Sequence, residues 1–156
     1  MAQHFVGKAI LANSGLAIVS ADAGSRGGKV VEYKPLLDEA IKLSAHKPQK
    51  VVMVNRGLAA FNTVEGRDVD YSAERARHMD TVVPCEWVDA THPSYTLYTS
   101  GTTGKPKGVQ RDTGGYTVAL AASMKHIYMG NPGETYFSTS DIGWVVGHSY
   151  IIYGPL

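Results

Sequence analysis

The chain has 156 residues, about one domain's worth, with 44% hydrophobic residues and a formal net charge of +1. That balance gives no global pull toward nucleic acid or an anionic membrane, so neither partner is expected. The lone cysteine, Cys85, excludes an intrachain disulfide and a multi-cysteine zinc site, and it reads as a half-buried thiol in a reducing compartment. No apolar run approaches the roughly 18 residues needed to span a bilayer. Met1-Ala2-Gln3-His4 shows no signal-peptide pattern, so a cytoplasmic protein is expected.

Leu16-Ala17-Ile18-Val19-Ser20 reads as a buried strand, and residues 22–29 as a small, glycine-rich loop. Pro35 suits the first turn of a helix whose apolar face is Leu36, Leu37, Ala40, Ile41 and Leu43, with Pro48 as its stop. Val51-Val52-Met53-Val54 is a second buried strand. Residues 61–70 read as a loop or irregular hairpin, residues 72–79 as a short polar helix, and residues 81–88 as an edge segment limited by Pro84. Tyr95-Thr96-Leu97-Tyr98 is β-prone and leads into a second glycine-rich loop. A helix capped by Asp112 or Thr113 follows, with Tyr116, Leu120, Met124 and Ile127 on one face. Residues 135–139 read as a strand, and Asp141-Ile142-Gly143 as a turn into a final apolar segment. Strands alternating with helices predict an α/β fold with a largely parallel sheet flanked by helices. Sites in such sheets lie at the carboxyl ends of strands.

Three loops have the residues for chemistry. Tyr98-Thr99-Ser100-Gly101-Thr102-Thr103-Gly104-Lys105-Pro106-Lys107-Gly108 combines hydroxyls, glycines and lysines, which suit a polyphosphate through backbone N–H groups and charge. An ordinary surface turn has a similar composition. The Walker pattern does not fit, because Gly101 and Gly104 are too close and Pro106 follows the lysine. In the loop at 22–29, Arg26 and Lys29 flank Gly27 and Gly28, a reasonable clamp for a phosphate monoester or else a solvated basic turn. The third stretch runs from Ser140 to Tyr150 through Trp144, Val145 and Val146, and reads as an apolar pocket wall, as core packing, or as both. His148 within it reads better as a structural hydrogen-bonding residue than as a general base.

The ordered motif from Tyr98 to Gly108 resembles the signature loop of the adenylate-forming, AMP-binding superfamily. The resemblance places Thr99, Ser100, Gly101, Thr102, Thr103, Gly104 and Lys105 around the β- and γ-phosphates of ATP, with Lys107 as a peripheral charge. The loop at 22–29 is similar to the CoA-binding stretch of short-chain acyl-CoA synthetases, which makes Arg26, Gly27, Gly28 and Lys29 CoA contacts. The third stretch is similar to their acyl-pocket motif. That similarity puts Trp144, Val145 and Val146 at the acid, with Val146 also near the CoA thiol channel. Taken together, these segments look most like the bacterial propionate–CoA ligase branch of the group.

The reaction implied by the resemblance uses propionate, ATP, Mg²⁺ and CoA, and passes through propionyl-adenylate. The family's catalytic lysine, its ribose-binding aspartate and its small C-terminal domain belong to a longer chain. No catalytic or metal-binding residue is therefore assigned here. Residues 1–156 are expected to be a fragment of the large N-terminal domain, inactive alone. Gly154-Pro155-Leu156 directly behind an apolar segment agrees with that expectation. The alternative is a non-catalytic nucleotide- or CoA-binding fragment, or an interaction fragment that associates through exposed core surface.

Overall fold

The computed structural model of the chain describes residues 17–99 and 106–156. The polypeptide divides into two compact units, Met1–Pro84 and Cys85–Leu156. Among the described residues, no helix is long and apolar enough to cross a membrane.

The first unit is built on a parallel sheet. Strand β1 (Ala17–Ala21) is followed by β2 (Ala23–Arg26), β3 (Lys29–Glu32), helix α1 (Lys34–Leu43), β4 (Lys50–Val54), β5 (Asp68–Asp70) and helix α2 (Tyr71–Arg77). Strand β4 is central and pairs in parallel with β1 on one side and β5 on the other. Its alternate residues Val51 and Met53 share one face, as the period of two in a strand requires. On α1, Leu37 and Ile41 lie one turn apart. These four side chains form the core, with Ile18 and Phe61 packed against it. Pro35 stands in the first turn of α1, where its missing N–H costs nothing. The helix ends at Leu43, short of Pro48. There Lys47 Nζ donates to the carbonyls of Ile41 and Ser44, both at 2.6 Å. Of the expected apolar face, Leu37, Ala40 and Ile41 are buried, while Leu43 is 70% exposed. Leu36 and Leu43 lie about 100° around the helix from the buried stripe.

Residues 22–29 are not an irregular loop. Strands β2 and β3 pair antiparallel as a hairpin. Residues 61–70 contain β5, and its pairing to β4 is parallel, not a hairpin. Residues 81–88 form no strand, and Cys85 within them is exposed rather than half-buried, because no described element covers the segment's side chains there. Helix α2 falls within one residue of its expected start. It is capped by Asp70, whose carboxylate accepts from the Ala73 N–H at 2.8 Å.

The second unit begins with β6 (Pro93–Thr99), which pairs antiparallel with β7 (Lys107–Asp112). The glycine-rich segment therefore joins two strands of a hairpin, whereas the sequence suggested a strand leading on to a helix. Helix α3 (Gly114–His126) follows. The Asp112 carboxylate accepts from the Tyr116 N–H at 3.0 Å, and Thr113 makes no side-chain cap. Only Leu120 on this helix is buried, and Ile127 is exposed. Residues 135–139 are not a strand, because no described segment pairs with them. The final apolar segment is helical, with a short helix α4 (Val145–Gly147) running into a π-helical stretch, His148–Tyr153.

Candidate functional site

In the first unit the candidates cluster at the β2–β3 hairpin. Arg26 stands opposite Lys29 in the ladder, and Gly27 and Gly28 form the turn between them. Both glycines have positive φ, 57° and 76°. That is the two-residue turn whose twist matches antiparallel strands, and a Gly-Gly pair adopts it without steric cost. The sequence carried this signal, since Gly-Gly between two extended segments marks such a hairpin. The four residues expected to contact CoA thus share one hairpin tip, on which Gly27, Gly28 and Lys29 are exposed.

The hairpin grows from Asp22, which is buried. The Asp22 N–H donates to the Val54 carbonyl at 3.1 Å, and its own carbonyl accepts from the Tyr33 N–H at 2.9 Å. Its carboxylate accepts from three backbone amides, Arg56 at 3.1 Å, Leu58 at 2.8 Å and Ala59 at 3.2 Å. Burial works to raise the carboxyl pKa, but the amides of Ala23, Ala59, Leu58 and Arg56 outweigh it and hold the value down to about 2. These partners lie up to 37 residues away along the chain. No local spacing announces them.

A charge network ties α1 to β5. Lys34 Nζ lies 2.6 Å from Asp38 Oδ2 and 3.0 Å from Asp68 Oδ2. Arg67 reaches Asp38 Oδ1 at 2.6 Å and Asp68 Oδ1 at 2.5 Å. The side chains of Lys34 and Asp68 are almost fully buried. Burial pushes the Asp68 carboxyl up, yet Arg67, the Val64 amide and Lys34 together hold it down to about 2. The Arg67 guanidinium is correspondingly raised, mainly by its hydrogen bond to Asp68.

In the second unit, Thr99 and Lys107 face each other across the β6–β7 ladder, and both are exposed. This rung forms the base from which residues 100–106 depart. Ser100, Gly101, Thr102, Thr103, Gly104 and Lys105 lie outside the described residues. The acyl-pocket candidates stand together at the start of α4. Trp144 caps the helix in extended conformation and is exposed, Val145 is half-buried and Val146 is exposed. Gly147 is buried against the preceding turn, where a Cβ would collide with the Asp141 carbonyl oxygen.

A tyrosine cluster anchors this segment to the hairpin. Tyr95 Oη donates to Tyr116 Oη at 2.9 Å, and Tyr116 Oη lies 2.8 Å from Ser149 Oγ. The Tyr95 ring stacks on His148 and Tyr153, each at 5.6 Å between centroids. Burial and the bond to Tyr116 push the Tyr95 phenol up to about 12. His148 Nδ1 lies 2.9 Å from the Trp144 carbonyl oxygen, so Nδ1 is the donor of this bond. That bond is of the structural kind expected for His148, and it leaves Nε2 as the unprotonated nitrogen of the neutral ring. Among the described residues, no three His, Cys, Asp or Glu side chains converge on a metal position.

A parallel sheet with a basic hairpin, and a pair of strands joined by the glycine-rich motif, point to a class of protein. The chain belongs to the AMP-binding enzyme family, which it matches over residues 8–156. It is 56% identical over 155 residues to the propionate–CoA ligase of Escherichia coli, covering 99% of this chain and 25% of that protein. It is 58% identical over 139 residues to the Salmonella typhimurium propionate–CoA ligase, covering 89% of this chain and 22% of that protein. The human mitochondrial acyl-CoA synthetase short-chain family member 3 is 51% identical over 140 residues, covering 89% of this chain and 20% of that protein. The fold matches the acetoacetyl-CoA synthetase from Streptomyces lividans with a TM-score of 0.74 at 20% identity, over 98% of this chain and 23% of that structure. The chain thus spans a quarter or less of the length of these relatives.

Proposed function

We propose that residues 1–156 form part of the large N-terminal domain of an AMP-forming acid–CoA ligase whose acid is propionate. The observation that carries this reading is the 56% identity to a propionate–CoA ligase across 99% of the chain. The Thr99–Lys107 rung adds geometric support, since it holds the two ends of the glycine-rich segment together.

In this reading Thr99, Ser100, Gly101, Thr102, Thr103, Gly104 and Lys105 hold the β- and γ-phosphates of ATP, and Lys107 adds charge from the base of the segment. Fixed donors there stabilise the pyrophosphate as it leaves, which lowers the barrier to attack by a carboxylate oxygen on the α-phosphorus. The acyl-adenylate so formed is cleaved when the CoA sulfur attacks the acyl carbon and AMP departs. Arg26, Gly27, Gly28 and Lys29 hold the nucleotide end of CoA. Trp144, Val145 and Val146 border the acid, with Val146 also beside the thiol. Mg²⁺ bound to the phosphate oxygens would neutralise charge, arriving on the nucleotide rather than in a cage of protein carboxylates. None of the assigned residues acts on the α-phosphate itself, so the isolated chain is inactive in this reading.

Propionate-dependent ATP–pyrophosphate exchange tests it in two arms. The chain alone should give no exchange. A chimera carrying residues 1–156 in place of the matching segment of the Escherichia coli enzyme should exchange with propionate in preference to acetate. A folded but inactive chimera would overturn the assignment. Within the chimera, Val146→Trp should shift preference toward acetate, since one methylene in an apolar pocket is worth about 1–3 kcal/mol.

A further inference from the structure

The β2–β3 hairpin has little to hold it in place along its own length. Among its strand residues with described side chains, only Ala23 and Gly24 are buried, and Val30 and Val31 are exposed. A two-stranded hairpin is marginal without a packed face. Its direction is therefore set at its root, and the root is Asp22. One residue joins three pieces of backbone there. Its N–H meets the end of β4, its carbonyl receives the Tyr33 N–H at the foot of β3, and its carboxylate gathers the amides of Arg56, Leu58 and Ala59. The Tyr33 phenol lies against the same root, since a Cβ on Gly24 would collide with its oxygen.

We infer that Asp22 is a positioning residue for CoA. Its carboxylate, bound to the 56–59 turn, fixes the direction of the hairpin and so the place where Arg26 and Lys29 meet the phosphate monoester. This inference rests on the CoA reading of the hairpin. The lever is long enough to matter. Four residues of strand carry the tip about 13 Å from the root, so a 10° swing moves it by about 2 Å. That displacement breaks the short geometry that charged hydrogen bonds need. Asn at position 22 keeps the size of the side chain but has one acceptor oxygen. The carboxylate uses both, Oδ1 for Arg56 and Oδ2 for Leu58 and Ala59.

The test compares the affinity of the full 156-residue chain for CoA and for 3′-dephospho-CoA by calorimetry, in the unaltered chain, Lys29→Ala and Asp22→Asn. The unaltered chain should prefer CoA, and Lys29→Ala should lose about tenfold of that preference, as loss of a hydrogen bond to a charged group implies. Asp22→Asn should lose it to the same extent. If Lys29→Ala loses the preference and Asp22→Asn keeps it, the CoA reading stands and the positioning role is wrong. If the unaltered chain shows no preference and Lys29→Ala changes nothing, the CoA reading fails and the inference goes with it. Should Asp22→Asn not fold, amide exchange in the unaltered chain decides. Saturating CoA should slow exchange at Arg56, Leu58 and Ala59 several-fold, because coupling between the two places is reciprocal. Unchanged exchange at those three amides would overturn the positioning role.

Discussion

The unit Met1–Pro84 and the unit Cys85–Leu156 are held together by different physics. In the first, Leu37, Ile41, Val51 and Met53 close an apolar core, and buried carboxylates are satisfied by backbone amides and by Lys34 and Arg67. In the second, Leu120 is the one apolar side chain buried to that degree among the described residues. Its cohesion comes from a strand ladder and from tyrosines that bond and stack, with Tyr95, Tyr116 and Tyr153 in one group and Tyr128, Tyr136 and Tyr150 in another. The candidate CoA hairpin thus belongs to the unit with an apolar core, while the candidate phosphate and acyl segments belong to the unit with a polar, aromatic framework. A framework of individually modest contacts is the kind that opens locally at low cost.

Breaking the core should give the largest effect. Met53→Ala removes a fully buried side chain at the centre of the parallel sheet, and about 2–5 kcal/mol of stability should be lost. Amide exchange read residue by residue should show the loss across β1, β4 and α1. Next comes Lys34→Met, which deprives the buried Asp68 of one of its two cations. Asp68 keeps Arg67, so the cost should fall near the low end of the range for a broken buried pair, about 3 kcal/mol. A smaller loss from Lys34→Met than from an exposed pair such as Arg77–Glu74 would mean that the network is not buried in solution.

The two units should also part company with pH. Asp22 and Asp68 have folded values near 2, below the ordinary carboxylate range of about 3.9. The unfolded chain therefore takes up protons first as pH falls, and the stabilisation present above about pH 4 drains away between about 4 and 2. Tyr95 has the opposite sign. Its folded value of about 12 lies above the ordinary phenol value of 10, so its contribution is complete below pH 10 and is lost as pH rises toward 12. Amide exchange should show acid loosening the first unit, and alkali loosening the second. The same order of loss in both directions would contradict the comparison. The smallest effect is expected from Tyr116→Phe, which keeps the ring and removes the hydroxyl shared by Tyr95 and Ser149. Each bond is worth about 1 kcal/mol. Combining it with Ser149→Ala should give less than the sum of the two changes, since both remove one contact.

The first unit was the more legible in sequence, and for the same physical reason. Val51 to Val54 and the Leu37–Ile41 spacing are patterns made by a core, and a core writes itself as periodicity. Strand β7 was not legible, because Lys107 to Asp112 holds a single apolar residue and is kept in place by ladder bonds to β6. Residues 81–88 and 135–139 failed in the other direction. Their β-prone side chains found no strand edge among the described residues, and propensity alone does not make a strand. Strand β5, only three residues with two aspartates, exists because β4 has a free edge beside it. The candidate site shows the same division. The ordered motif at 98–108 and the Arg26–Lys29 turn are visible as residue types in order. Asp22 and the tyrosine chain become visible only when the fold brings distant backbone and hydroxyl groups together.

In the proposed reading the Tyr98–Gly108 segment, based on the Thr99–Lys107 rung, holds the phosphates of ATP. Calorimetric titration of the folded 156-residue chain with MgATP, AMP and pyrophosphate tests this most directly. MgATP should bind, pyrophosphate should compete with it, and AMP should bind far more weakly. Binding of AMP as tight as that of MgATP, or no binding of either MgATP or pyrophosphate, would contradict it.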